Sequence, residues 1–121
     1  MKWGINLTDN DKSIEQKILL IVSFLTTKYI ESRFSILNID ATGVIGNYLT
    51  QTINNSAQAY KIEHKRLEQL LLEDGQILEL LMNCEIREFY YQIDVKDGRY
   101  IDVYSNYELL PEFIVGKYEY I

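Results

Sequence analysis

The chain has 121 residues, 47% hydrophobic and 25% charged, with a formal net charge of −6. These are the proportions of one ordinary globular domain, residues 1–121, long enough to bury about two-thirds of its unfolded surface. A single cysteine excludes an internal disulfide, and a single histidine excludes a histidine-based metal cluster.

The charge is uneven. Residues 1–60 hold five basic and five acidic groups, so the whole −6 lies in residues 61–121. Such a field repels nucleic acid and anionic membrane and attracts a basic partner. The opening MKWGINLTDNDK lacks the apolar core of a signal peptide. The longest apolar run, ILLIVSFL at residues 18–25, is far short of the roughly 20 residues that span a bilayer. The expectation is a cytoplasmic protein that contacts neither membrane nor nucleic acid.

KWGINL reads as a strand weakened by Gly4. A helix follows, beginning near Asp9 to Lys12, with Thr8, Asp9 and Asn10 as N-cap candidates. Its apolar face is Ile14, Ile18, Ile21, Val22, Leu25 and Tyr29, widened by Leu19, Leu20 and Phe24. FSILNID is either a short strand or the frayed end of that helix. Ile45, Leu49 and Ile53 predict a short second helix after Asp40 or Thr42, with Gly43 and Gly46 as turn or close-packing positions. GVIG lacks the further glycine and the lysine of a phosphate loop.

Asn54, Asn55 and Ser56 make a break, and the spacing of Tyr60, Leu67, Leu71 and Leu78 predicts a long helix from about Ala57. Gly75 is its left-handed cap or a tolerated interruption, and QILELLMN is a further helical segment. From Glu85 the pattern alternates into a hairpin. NYELLPEF is a connector, and FIVGKYEYI a final strand. The expected class is α+β, with N-terminal helices packed on one face of a small antiparallel sheet built mainly from the C-terminal hairpin and last strand.

The hairpin EFYYQIDVKDGRYIDVYSNY holds five of the ten tyrosines. A two-residue Asp97-Gly98 loop would mix apolar and polar side chains on both faces. A three-residue Lys96-Asp97-Gly98 loop, a type I turn closed by a left-handed glycine, separates them. It sets Ile93 opposite Ile101 and Tyr91 opposite Val103, and brings Tyr90 beside Tyr104. Phe89, Tyr91, Ile93, Val95, Ile101 and Val103 then share the core face. The other face holds Glu88, Tyr90, Gln92, Asp94, Tyr100, Asp102 and Tyr104. Tyrosine gives contact area at low entropy cost, and acids beside it select a basic partner.

No catalytic or metal motif emerges, so no enzyme, cofactor or metal is expected. His64 and Cys84 are the outline of a base and a nucleophile with nothing to place them together. DVKDGRYID puts Lys96 and Gly98 where a calcium loop needs oxygen ligands. Pairs such as Glu73–Asp74 and Asp94–Asp102 are what eighteen acids give by chance. Residues 63–68 read as a solvated charged helix face.

In size, acidity and this tyrosine–acid face the chain resembles the small acidic immunity proteins and antitoxins of bacteria, which neutralise basic toxin domains by binding them. The resemblance carries no sequence motif. It implies a protein-binding inhibitor that contacts its partner through Tyr90, Asp94, Tyr100, Asp102 and Tyr104, with Glu88 and Gln92 at the rim. The alternative is a homodimeric structural or assembly subunit.

Overall fold

Alternating apolar and polar side chains build most of the chain into one sheet. The computed structural model describes residues 2–54 and 58–121. The strands are β1 (Trp3–Leu7), β2 (Arg33–Ala41), β3 (Tyr60–Ile62), β4 (Ile77–Ile86), β5 (Phe89–Lys96), β6 (Tyr100–Ser105) and β7 (Tyr118–Tyr120). They form a seven-stranded antiparallel sheet in the order β3-β2-β4-β5-β6-β1-β7. Among the described residues the helices are α1 (Ile14–Lys28), α2 (Gly43–Asn54), α3 (His64–Leu72) and α4 (Glu112–Val115). The class is α+β. The sheet draws on the chain from Trp3 to Tyr120, not mainly on the C-terminal hairpin.

Buried residues from β1 to β6 and from all four helices join one apolar cluster, with Tyr118 of β7 partly buried against it. Ile5, Phe34, Ile36, Met82, Tyr91, Ile93, Ile101 and Val103 supply it from the sheet; Ile18, Ile21, Val22, Leu25, Leu49, Leu67 and Leu70 supply it from the helices. The first helix therefore buries the stripe that its spacing predicts. Its start is different. Ser13 is the N-cap: its Oγ accepts the Gln16 N–H and Gln16 Oε1 accepts the Ser13 N–H, a reciprocal capping box. Asp9 serves elsewhere, accepting the Lys117 N–H on Oδ2 and the Lys17 ammonium on its carbonyl.

FSILNID is a strand, and the second helix lies over Ile45, Leu49 and Ile53 as its spacing predicts. The long helix does not form. Its proposed start at Ala57, with Asn55 and Ser56, lies outside the described residues. Tyr60 and Ile62 belong to β3, paired with β2, and the helix runs only from His64 to Leu72. QILELLMN is strand β4. Its buried residues are Ile77, Leu80, Met82, Cys84 and Ile86. A register shift against β2 between Asp40 and Ala41 inserts one residue after Ile77. The resulting step of three imitates a helix. Gly75 is not a helix cap. Thr42 N–H donates to Gln76 C=O at 2.9 Å and Gln76 N–H to Thr42 Oγ1 at 3.0 Å, clamping the two loops so closely that a Cβ on Gly43 or Gly75 would strike the facing carbonyl.

The hairpin faces are as expected, but its offset is not. Lys96 pairs with Tyr100, Val95 with Ile101 and Ile93 with Val103. Asp97 (φ 56°) and Gly98 (φ 61°) are both left-handed, and Arg99 N–H donates to Lys96 C=O at 3.1 Å. That is a primed two-residue turn followed by one extra residue, Arg99, before the ladder resumes. The final strand is shorter than its composition suggests, because Phe113, Ile114 and Val115 form the single turn of α4.

Candidate protein-binding face

Six of the seven residues singled out from the sequence share the strand face alternate to the core. Tyr90, Gln92 and Asp94 lie on β5, Tyr100, Asp102 and Tyr104 on β6, and Glu88 in the turn before β5. Across the pair, Gln92 sits opposite Tyr104 and Asp94 opposite Asp102. Tyr90 does not meet Tyr104, since the ladder is offset by two residues from the expected register. Tyr90 faces Glu85 on β4, and Asn106 Oδ1 accepts its N–H at 2.9 Å.

The face is braced at its β1 side. Asn6 Nδ2 donates to Asp102 Oδ1 at 2.7 Å. The ring of Tyr104 lies over Gly4, where an added Cβ would come within 2.6 Å of Tyr104 Cδ1. Gly4, a liability for a strand by propensity, is the space that this ring needs. Burial, then the Asp102 charge, raises the Tyr104 phenol above its ordinary value. Toward the hairpin tip Lys96 Nζ stands 3.5 Å from Asp94 Oδ2, and Tyr100 is 51% exposed. On the β4 side Gln92 Nε2 donates to Asn83 Oδ1 at 3.0 Å.

The structure adds Asn6, Asn83 and Glu85 to the face through the pairings of β1 with β6 and of β4 with β5. The alternation of Met82-Asn83-Cys84-Glu85-Ile86 is the signal that could have found two of them. The face carries hydrogen-bonding amides, carboxylates and phenols, a set suited to contacts with a polar, cationic surface.

Cys84 lies on the core face, 2% exposed, and burial followed by the Glu85 charge pushes its thiol up to about 12. His64 begins α3. Among the described residues no group of three or more His, Cys, Asp or Glu could hold a metal ion, and no helix is long and apolar enough to cross a membrane. Compared with protein-family models, curated proteins and solved structures, the chain matches none.

Proposed function

We propose that the helices lie together on one face of the sheet and leave the opposite face free to dock a protein with a basic surface. On this reading the chain is a cytoplasmic, non-catalytic inhibitor of the bacterial immunity or antitoxin kind, and its partner a basic toxin domain. The observation that carries it is the alternate strand face. Its tyrosines and carboxylates keep partial or full exposure, while the buried residues of sheet and helices belong to one cluster. The excess of acid in residues 61–121 supplies the attraction.

The test takes the protein captured by this chain from its host and measures affinity across a salt series. Tyr90→Ala or Tyr100→Ala should weaken binding by about 2 kcal/mol, the loss typical of an interface anchor. Asp94→Asn should chiefly slow association and flatten the salt dependence. A partner whose affinity ignores all three substitutions docks elsewhere.

One observation favours a second reading, a homodimer. On the helical side Phe113 is 78% exposed and packs edge-to-face on Phe24 of α1, with ring centroids 6.0 Å apart. A sedimentation mass equal to the 14.3 kDa monomer at high concentration would exclude self-association.

A further inference from the structure

We propose that two copies of this chain join through the free edge of β7, continuing the sheet across a two-fold axis. This deepens, and rests on, the homodimer reading. It places the contact on β7 and not on Phe113, and it leaves the alternate face of each copy open. β7 ends the strand order, and only β1 pairs with it. Thr8 N–H donates to Lys117 C=O and Ile121 N–H to Gly4 C=O, each at 2.9 Å. Residues 117, 119 and 121 therefore turn their backbone groups toward β1, and Tyr118 and Tyr120 turn theirs outward. Among the described residues no backbone hydrogen bond reaches that outward edge.

An open edge is a template for a further strand, and the sequence at this edge fits its own copy. With the axis at Tyr118, antiparallel pairing sets Tyr118 against Tyr118 of the second copy. Lys117, just before β7, then meets Glu119 of the second copy, and Glu119 meets its Lys117. Lys117 and Glu119 are exposed and stand in no ion pair among the described residues, so two opposite-charge pairs form with none broken. Tyr118 and Tyr120 leave the strand on the other side, their rings edge-to-face at 5.5 Å, and Tyr120 is 69% exposed. The two-fold extends this pair into a ladder of four tyrosines. An axis at Glu119 would instead oppose two carboxylates, so charge complementarity selects the register at Tyr118. The other edge strand, β3, leads straight into α3 and offers no exposed ring: Tyr60 is half-buried and Ile62 buried. One short strand from each copy buries less than the roughly 1,200 Å² of a stable interface, so the dimer is a weak one.

Sedimentation equilibrium up to about 1 mM protein, the range of a weak interface, tests it, with amide spectra reporting the fold of each variant. The unsubstituted chain should rise toward the dimer mass, with concentration-dependent amide shifts centred on residues 117–121. Lys117→Glu and Glu119→Lys should each weaken self-association about tenfold, since each sets like charges across the axis. An equimolar mixture of the two variants should recover it, because every facing pair is then opposite in sign. Phe113→Ser should leave it unchanged. A mass of 14.3 kDa at every concentration would overturn the edge contact and the homodimer reading together. A dimer lost in Phe113→Ser and kept by both charge variants would overturn the edge contact alone. Loss in both charge variants with no recovery on mixing would overturn the two-fold pairing.

Discussion

Removing the hydroxyl of Tyr91 tests how the hairpin is tied to the chain that follows it. Tyr91 is 1% exposed, and its hydroxyl donates to the Glu108 carbonyl at 2.8 Å. Trp3 Nε1 donates to the adjacent Tyr107 carbonyl at 2.5 Å, and the two rings meet edge-on at 6.1 Å. Two aromatic donors thus strap consecutive carbonyls of the connector to the sheet. Tyr91→Phe keeps the ring and leaves the Glu108 carbonyl without its donor. An orphaned acceptor of this kind costs about 1–3 kcal/mol; the bond is only partly shielded, so water recovers some of that and about 1–2 kcal/mol is expected. The midpoint of thermal unfolding should fall by roughly 4–8 °C. The assay is urea unfolding followed by the fluorescence of Trp3, the only tryptophan, which sits beside the altered side chain. Tyr91→Phe as stable as the unsubstituted protein would refute the strap.

Gly98→Ala should destabilise by about 1–2 kcal/mol, because a left-handed residue gains a Cβ there. Asp97→Val should cost at least as much, an outcome peculiar to a primed turn; tolerance of valine at that position in chemical unfolding would restore a type I turn. Ser13→Ala should lose about 1 kcal/mol of stability and Asn10→Ala nearly none, measured by thermal circular dichroism. The reverse ranking would move the N-cap back to the earlier residues. Cys84 should resist a thiol reagent in the native state and react at the unfolding rate. Its raised folded pKa favours the neutral thiol, so the stability it contributes is complete below about pH 9 and is lost as pH rises toward about 12. Cys84→Ala should therefore soften that alkaline loss, and rapid labelling of the native thiol would contradict its burial.

Parity was legible in the hairpin and offset was not. The expected and observed registers differ by two residues, and a shift of two leaves every side chain on its face. Hydrophobic pattern thus assigned Phe89, Tyr91, Ile93, Val95, Ile101 and Val103 to the core, where all but the half-buried Phe89 are buried, while the positive φ of Asp97 and the extra Arg99 have no signature in it. The stripe of α1 was legible because a buried helix repeats at three and four. Strand β4 was not, because one inserted residue gives it a helical step, and β3 is too short for any period to show. The same limit applies to the face. Tyr90, Gln92, Asp94, Asp102 and Tyr104 were found from one hairpin. Their neighbours Asn6, Asn83 and Glu85 depend on which strands lie beside it, and that order follows from long-range packing that no local pattern records.

The central proposal is that the alternate sheet face, not the surface around α4, meets the partner. Photo-crosslinking in the native host tests it most directly, with a benzophenone side chain placed at Tyr100 on that face or at Phe113 on α4. The account predicts one discrete crosslinked species from position 100, to a protein with a basic domain, and none from position 113. A crosslink from position 113 alone would contradict it.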